Sequence, residues 1–157
     1  GGGVVSGVFD KPEMLITVGE RFSASSPDVK VIMVGLDVTD KITCSDVDFA
    51  KIKEIAPVKG GFIQDMSHYY LAFYRSVSKF DGCSLHDPAA VIACAYPELF
   101  TMVDAHIDVI AEGAEIGNTI DAKSAGAVPV KVCTDAQFDV IKQHFINTFK
   151  VGNSINN

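Results

Sequence analysis

The sequence predicts an α/β fold in which a partly parallel sheet is flanked by helices. An almost continuous apolar run over residues 29–38 is typical of a parallel strand covered on both faces. Two later stretches have helical periodicity, and several short strand-like runs precede a final helix. With 157 residues the chain has the length of one domain, so we expect residues 1–157 to form a single domain.

Composition excludes several classes of protein. Hydrophobic residues make up 48% of the chain and charged residues 21%, which indicates a globular protein and not a disordered one. The net charge is −7 without any basic run, so nucleic-acid binding is disfavoured. No apolar run has transmembrane length, so we expect no membrane partner. The four cysteines form no CxxC pair, and three lie in apolar or strand-like contexts, which favours buried free thiols and a reduced, cytoplasmic setting.

The first forty residues contain one predicted helix and one predicted strand. Residues 1–10 are rich in glycine, but no GxxxxGK pattern supports a phosphate-binding loop. Residues 12–23 read as a helix with a proline near its start. The apolar run at 29–38 reads as a strand, with Asp37 at its end. Asp37 is either a pocket residue at a strand end or a turn residue, and we do not include it in the predicted site.

The middle of the chain predicts two helices. A capping box beginning at Ser45 opens a helix that runs to about Ala56 and stops at Pro57. Residues 59–61 read as a turn, and residues 62–80 form the longest predicted helix. Apolar residues recur at helical spacing along this helix and predict a stripe that faces the core: Phe62, Met66, Tyr69, Phe73, Val77 and Phe80.

Two tyrosines lie beside that stripe. Tyr70 and Tyr74 are four residues apart and therefore share one face of the helix. They are either half-buried tyrosines with solvated hydroxyls or residues that line the mouth of a pocket.

The next stretch has the sequence Gly-Cys-Ser-Leu-His-Asp-Pro-Ala-Ala over residues 82–90. Pro88 suits the first position of a helix running to about residue 96, which makes Asp87 a natural N-cap. By physics alone capping is the favoured role of Asp87, and His86 is an ordinary loop histidine. The alternative is a pocket in which Asp87 binds a hard cation and His86 transfers a proton near neutral pH.

The last third of the chain predicts short strands and a closing helix. The strands are expected at 100–103, 106–111, 119–122 and 128–133. Asp135 is expected to cap the final helix. Its core face is marked by Phe138, Ile141, Phe145 and Phe149.

Residues 82–90 resemble the C-terminal signature of the inosine–uridine-type nucleoside hydrolases. A second block, Met-Val-Gly-Leu-Asp-Val-Thr at 33–39, agrees with it at the spacing that the family uses, and the resemblance covers roughly residues 10–149. The family implies an α/β fold, hydrolysis of a purine or pyrimidine ribonucleoside to ribose and free base in nucleoside salvage, and a homodimer or homotetramer.

The resemblance also implies roles for four residues of this chain. It assigns protonation of the leaving base to His86 and ligation of a calcium ion to Asp87. Tyr70 and Tyr74 stand where the family has tyrosines that contact the base, so we expect them to stack on the nucleobase. Replacement of either ring by Phe should then be tolerated better than replacement by Ala.

The chain departs from the family near its start. The family's Asn-x-Thr-Pro and Glu-Phe-Asn stretches, which hold the ribose hydroxyls, have no counterpart between Gly7 and Val8, and the N-terminal Asp-rich metal motif is absent. The chain therefore resembles the C-terminal half of a nucleoside hydrolase. We expect it to act in a longer or complemented protein and to be inactive alone. The alternative is a non-catalytic remnant that serves as a structural or interaction protein.

Overall fold

The fold was obtained as a computed structural model, which describes residues 31–77, 80–110, 112–116, 118–121 and 128–151. The helix predicted at 12–23 lies outside these residues. The strands are β1 (Ile32–Val34), β2 (Thr43–Cys44), β3 (Cys83–Ser84), β4 (Phe100–Val109), β5 (Thr119–Asp121) and β6 (Val128–Ala136). The helices are α1 (Leu36–Thr39), α2 (Asp46–Ile55), α3 (Pro57–Val77), α4 (His86–Ala95) and α5 (Phe138–Val151), and a 3-10 turn spans Pro97–Leu99.

The predicted α/β class with a partly parallel sheet is confirmed. Within the described residues, a four-stranded sheet has the order β1-β6-β4-β5. Strand β1 is parallel to β6, whereas β4 is antiparallel to both β6 and β5. Strands β2 and β3 form a separate antiparallel ribbon that leads the chain into α4. The ribbon continues in a hydrogen bond from the Leu85 N–H to the Ile42 carbonyl, 2.8 Å long.

The core lies between the helices and the sheet. Its buried residues come from all the larger described elements and include Val38, Ile42, Phe49, Ile52, Leu71, Ala89, Ala93, Phe100, Cys133 and Ile141. The predicted inner face of α5 is confirmed, because Phe138, Phe145 and Phe149 pack against this cluster and Ile141 is part of it.

The capping box at the start of α2 is confirmed. The Ser45 N–H donates to the Asp48 carboxylate at 3.0 Å, which is the return bond of that motif. Burial alone would raise the pKa of Asp48, but the hydrogen bonds from Ser45 and the charge of Lys142 lower it overall.

The turn predicted at 59–61 is wrong, because α3 already begins at Pro57 and runs through both glycines. Gly60 faces α2 at very close range. A Cβ at this position would lie 2.6 Å from the carbonyl carbon of Ile52 and 2.7 Å from the Cα of Lys53. Because Gly60 has no side chain, α3 can pack closely against α2 at this point. This packing explains why a glycine lies inside the helix.

The apolar stripe predicted as the core face of α3 is also wrong. Tyr69 is 88% exposed and Phe73 56% exposed, and the other four stripe residues are exposed as well. The buried face of α3 instead contains Gly60, Ser67 and Leu71. Small residues bring that face close to α2, so it is the inner face even though it is less apolar than the stripe.

Four smaller predictions differ from the structure. In the described part of the run predicted as a strand at 29–38, residues 32–34 form the strand β1, and Asp37 lies in the short helix α1, not at a strand end. The two strands predicted at 100–103 and 106–111 are one strand, β4. Asp135 belongs to β6, and α5 starts after it, so Asp135 does not cap that helix.

The two adjacent glycines of α3 make a matched pair for testing this packing. Gly60→Ala should destabilise the protein, because its Cβ has no space beside the α2 backbone. Gly61→Ala should stabilise it by up to about 1 kcal/mol, the usual gain in helix propensity, since its Cβ meets only the end of the Lys53 side chain at 4.0 Å. Urea unfolding of the two variants measures both changes. Equal stability of the two variants would contradict the close approach.

Candidate functional site

Three of the four predicted site residues lie together. His86 is the first residue of α4, and Tyr70 and Tyr74 project from α3. The Tyr74 hydroxyl is 2.9 Å from Nε2 of His86, and the Tyr70 hydroxyl is 3.3 Å from that of Tyr74. The two tyrosine rings meet edge to face with centroids 4.9 Å apart. A chain of hydrogen-bonding groups therefore leads from the imidazole to the exposed Tyr70.

The other nitrogen of the imidazole is held by a residue that sequence reasoning missed. Oγ1 of Thr39 lies 2.7 Å from Nδ1 of His86, and Thr39 is only 2% exposed. Each ring nitrogen of His86 thus has a hydroxyl partner. A signal was available, since Thr39 is the last residue of the first block of the family resemblance and His86 belongs to the second.

The carboxylate of Asp40 also lies close to the imidazole of His86. Oδ1 of Asp40 is 3.9 Å from Nε2 of His86 and accepts a hydrogen bond from the Ser84 hydroxyl at 3.1 Å. Sequence reasoning missed Asp40 as well. The His86 side chain is 21% exposed, so the group is close to solvent but held on several sides. Such an imidazole can give and take a proton within a defined frame.

Tyr70 is kept protonated by its surroundings. Burial raises the pKa of this phenol far above its ordinary value, and the hydrogen bond with Tyr74 and the negative charge of Asp87 raise it further. The hydroxyl of Tyr70 is therefore neutral at any physiological pH and remains available as a donor or an acceptor.

Asp87 is not the N-cap that local sequence suggests. Helix α4 begins at His86, Leu85 takes the N-cap position, and Asp87 is an exposed residue of the first turn. In the described parts of the chain, no group of three or more His, Cys, Asp or Glu side chains is placed to hold a metal. Since calcium takes six to eight oxygen ligands in general, these residues alone do not fit a calcium ion.

The β2–β3 ribbon, which leads into α4, contains two cysteines. Cys44 and Cys83 are paired across the β2–β3 ribbon, and both are buried. Burial raises the pKa of Cys44 to about 12 and that of Cys83 to about 11, with the charges of Asp48 and Asp46 adding to the respective shifts. Burial likewise raises the pKa of Cys133 to about 11. The prediction of three buried thiols is confirmed, and the exposed cysteine is Cys94.

No helix in the described residues is both long enough and apolar enough to cross a membrane.

Comparison with known proteins agrees with the two sequence blocks. The model of the inosine–uridine preferring nucleoside hydrolase family matches residues 20–143. The pyrimidine-specific ribonucleoside hydrolase RihA of Shewanella woodyi is 27% identical over 141 residues, which cover 89% of this chain and 43% of the relative. RihA of Klebsiella pneumoniae is 29% identical over 86 residues, 54% of this chain and 28% of the relative.

The fold is also similar to that of a solved ribonucleoside hydrolase. The solved purine-preferring ribonucleoside hydrolase of Gardnerella vaginalis superposes with a TM-score of 0.74 at 24% identity, covering 92% of this chain and 44% of that one. The chain thus spans less than half the length of each of these three relatives.

The pattern of buried thiols predicts selective labelling. At pH 8 in the folded protein, a chromogenic disulfide reagent should modify Cys94 rapidly and leave the other three cysteines unmodified. The reactive species is the thiolate, and a raised pKa keeps the thiolate fraction of the buried cysteines small. All four should react after unfolding in guanidinium. Rapid reaction of two or more thiols in the folded protein would contradict this arrangement.

Proposed function

The chain belongs to the inosine–uridine preferring nucleoside hydrolase family, and from this premise we propose that it carries the leaving-group side of a ribonucleoside hydrolase site. The reaction is cleavage of the N-glycosidic bond of a purine or pyrimidine ribonucleoside to ribose and free base, in a longer or complemented protein. The observation that carries the proposal is the contact between His86 Nε2 and the Tyr74 hydroxyl at 2.9 Å. In this proposal the chain is one domain that corresponds to the C-terminal portion of the family fold.

The chemistry needs a proton at the departing base. When the N-glycosidic bond breaks, its electron pair leaves with the base and the sugar becomes oxocarbenium-like, as in glycoside hydrolysis generally. A water molecule then adds to the sugar carbon. The base is a poor leaving group unless a ring nitrogen is protonated as the bond breaks, and a positioned acid contributes about a hundredfold to ten-thousandfold to the rate.

His86 and Tyr74 are suited to deliver that proton. In the proposed step, Nε2 of the His86 imidazolium gives its proton to the Tyr74 hydroxyl while that hydroxyl protonates the base. The site is reprotonated from solvent, which reaches the partly exposed ring. Asp40, at 3.9 Å from Nε2, adds a negative charge that stabilises the imidazolium before the transfer.

The tyrosine rings would form the base-binding surface. Tyr70 is 43% exposed and its ring stands edge to face with that of Tyr74, and we propose that a planar base stacks on this exposed aromatic surface. The hydroxyl of Tyr70 contacts that of Tyr74 and so keeps it in place beside the imidazole. Stacking on such rings is compatible with either class of base, and the relatives include both pyrimidine-specific and purine-preferring enzymes.

For calcium, we propose only that the described residues supply part of the set of ligands. Asp87 is exposed beside His86, and we propose it as a carboxylate that the described residues contribute to a calcium ion. The remaining ligands would have to come from outside the described residues. We also propose a homodimer or homotetramer and a cytoplasmic role in nucleoside salvage, both on the family resemblance alone.

The alternative is a non-catalytic remnant of the same fold. This alternative is compatible with the described residues, in which no group of three or more His, Cys, Asp or Glu side chains is placed to hold a metal. The test is release of free base from uridine and from inosine, in the presence of calcium, by the longest natural form of the protein. Hydrolysis of either nucleoside supports the proposal. A form that is inert towards every nucleoside would favour the remnant.

Removing the acid should matter only when the leaving group is poor. In the longest natural form, His86→Ala should slow inosine and uridine hydrolysis by at least about a hundredfold, the lower end of general acid catalysis. It should have little effect on a nitrophenyl riboside, whose leaving group departs without a proton. His106→Ala, which removes an exposed histidine of β4, is the matched control. Equal losses of His86→Ala on both substrates would rule out the leaving-group role.

The hydroxyls of the two tyrosines should differ in importance. Tyr74→Phe removes the hydroxyl that passes the proton to the base and should lower the rate by at least about a hundredfold, as loss of the acid does. Tyr70→Phe keeps the ring and should cost less. Replacement of either residue by Ala should cost more than Phe, because the aromatic surface is lost as well. Initial rates on uridine measure these differences, and equal rates for the two Phe variants would contradict a role for the Tyr74 hydroxyl in proton delivery.

A further inference from the structure

We propose that Thr39 is the positioning residue for His86, because its hydroxyl fixes which ring nitrogen carries the proton and turns Nε2 towards Tyr74. This inference rests on the proposed function for its catalytic meaning, but its structural content can be measured without activity. Thr39 lies 47 residues before His86 in the chain, and its Oγ1 is 2.7 Å from Nδ1.

The backbone holds the two residues as one unit. The Thr39 carbonyl accepts a hydrogen bond from the Ile42 N–H at 3.0 Å, and the Ile42 carbonyl accepts one from the Leu85 N–H at 2.8 Å. Leu85 directly precedes His86. The Thr39 N–H in turn donates to the Gly35 carbonyl at 3.0 Å. These bonds hold the backbone of Thr39 and the backbone next to His86 at a defined separation.

Because the Thr39 hydroxyl is buried, its hydrogen bond to His86 is hard to replace. Thr39 is 2% exposed, so little water can replace its hydrogen bond to the ring. A buried polar group left without a partner is strongly disfavoured. The Thr39–His86 pair is thus strongly favoured over a ring turned by half a rotation, in which a carbon atom would face the hydroxyl.

The two hydroxyls also determine the tautomer. A neutral imidazole has one N–H donor and one bare nitrogen acceptor. A phenol is a better hydrogen-bond donor than an aliphatic hydroxyl. In the proposed arrangement Tyr74 donates to Nε2, 2.9 Å away, and the Nδ1–H of His86 donates to Thr39, 2.7 Å away. In this arrangement Nε2 is the nitrogen that faces the Tyr74 hydroxyl.

Three groups face the ring from the described elements packed around it. Tyr74 comes from α3, Thr39 ends α1, and the Asp40 carboxylate approaches Nε2 from the following residue. Neither Tyr74 nor Asp40 is placed at Nδ1. Of these three groups, Thr39 is therefore the one that binds Nδ1.

The test is the tautomer of His86 in the 157-residue chain. Thr39→Val removes the hydroxyl and keeps the shape, whereas Thr39→Ser keeps the hydroxyl and loses a methyl group. Long-range proton–nitrogen NMR spectra at a pH where the imidazole is neutral distinguish a protonated Nδ1 from a bare one. We expect a protonated Nδ1 and a bare Nε2 in the wild type and in Thr39→Ser. In Thr39→Val the two nitrogen shifts should move towards each other.

Two results would overturn the proposal. One is an unchanged pair of His86 nitrogen shifts in Thr39→Val, and the other is the same change in Thr39→Ser, which would indicate packing and not the hydroxyl. Backbone amide spectra of each variant verify that the fold is retained. If Thr39→Val does not fold, the wild-type spectrum still decides, because a bare Nδ1 would contradict the assignment.

Activity supplies an independent arm. In the longest natural form, Thr39→Val should lower kcat for uridine by about tenfold with little change in KM, as expected for a group that acts only in the transition state. Thr39→Ser should restore most of the loss. A wild type without hydrolysis would overturn the proposed function and leave the tautomer result standing. Hydrolysis that responds equally to Ser and Val would overturn the positioning role alone.

Discussion

The site depends on one constraint: the His86 imidazole is held between two hydroxyl groups, one at each ring nitrogen. Thr39 approaches Nδ1 from the end of α1, and Tyr74 approaches Nε2 from α3. These elements meet because the β2–β3 ribbon places the segment after Thr39 directly beside the segment before His86. Fold and site are therefore coupled: the ribbon that brings the two family sequence blocks together also orients the proposed acid.

The sequence predicted the members of the site better than their connections. The i, i+4 spacing put Tyr70 and Tyr74 on one face of a helix, and the His-Asp-Pro motif singled out His86. Local patterns do not reveal contacts between distant residues, so the bond from Thr39 to a histidine 47 residues later was missed. The N-cap expected at Asp87 is wrong because the helix starts two residues earlier, at His86 instead of Pro88, with Leu85 as its N-cap.

The longest helix illustrates the same limit in the fold. Periodicity placed the exposed residues Phe62, Met66, Tyr69, Phe73 and Val77 in one helix, although Phe80 lies beyond its end, and it does not identify the face that packs inward. Gly60 decides that question, because a helix can approach α2 closely only where a side chain is missing. The inner face thus combines Gly60 with Leu71, and the more apolar stripe remains exposed in the described structure. The partly parallel sheet, by contrast, followed directly from the apolar runs.

The central claim is that the base leaves beside the Tyr74–Nε2 edge of His86. The most direct measurement is a crystal structure of the longest natural form with calcium and a nucleoside analogue whose glycosidic bond cannot be cleaved. The account predicts the base against Tyr70 and Tyr74, with a ring nitrogen about 3 Å from the Tyr74 hydroxyl, a normal hydrogen-bond distance. Thr39 should still be bonded to Nδ1. An analogue bound with its base remote from both tyrosines, or on the Nδ1 side of the imidazole, would contradict the account.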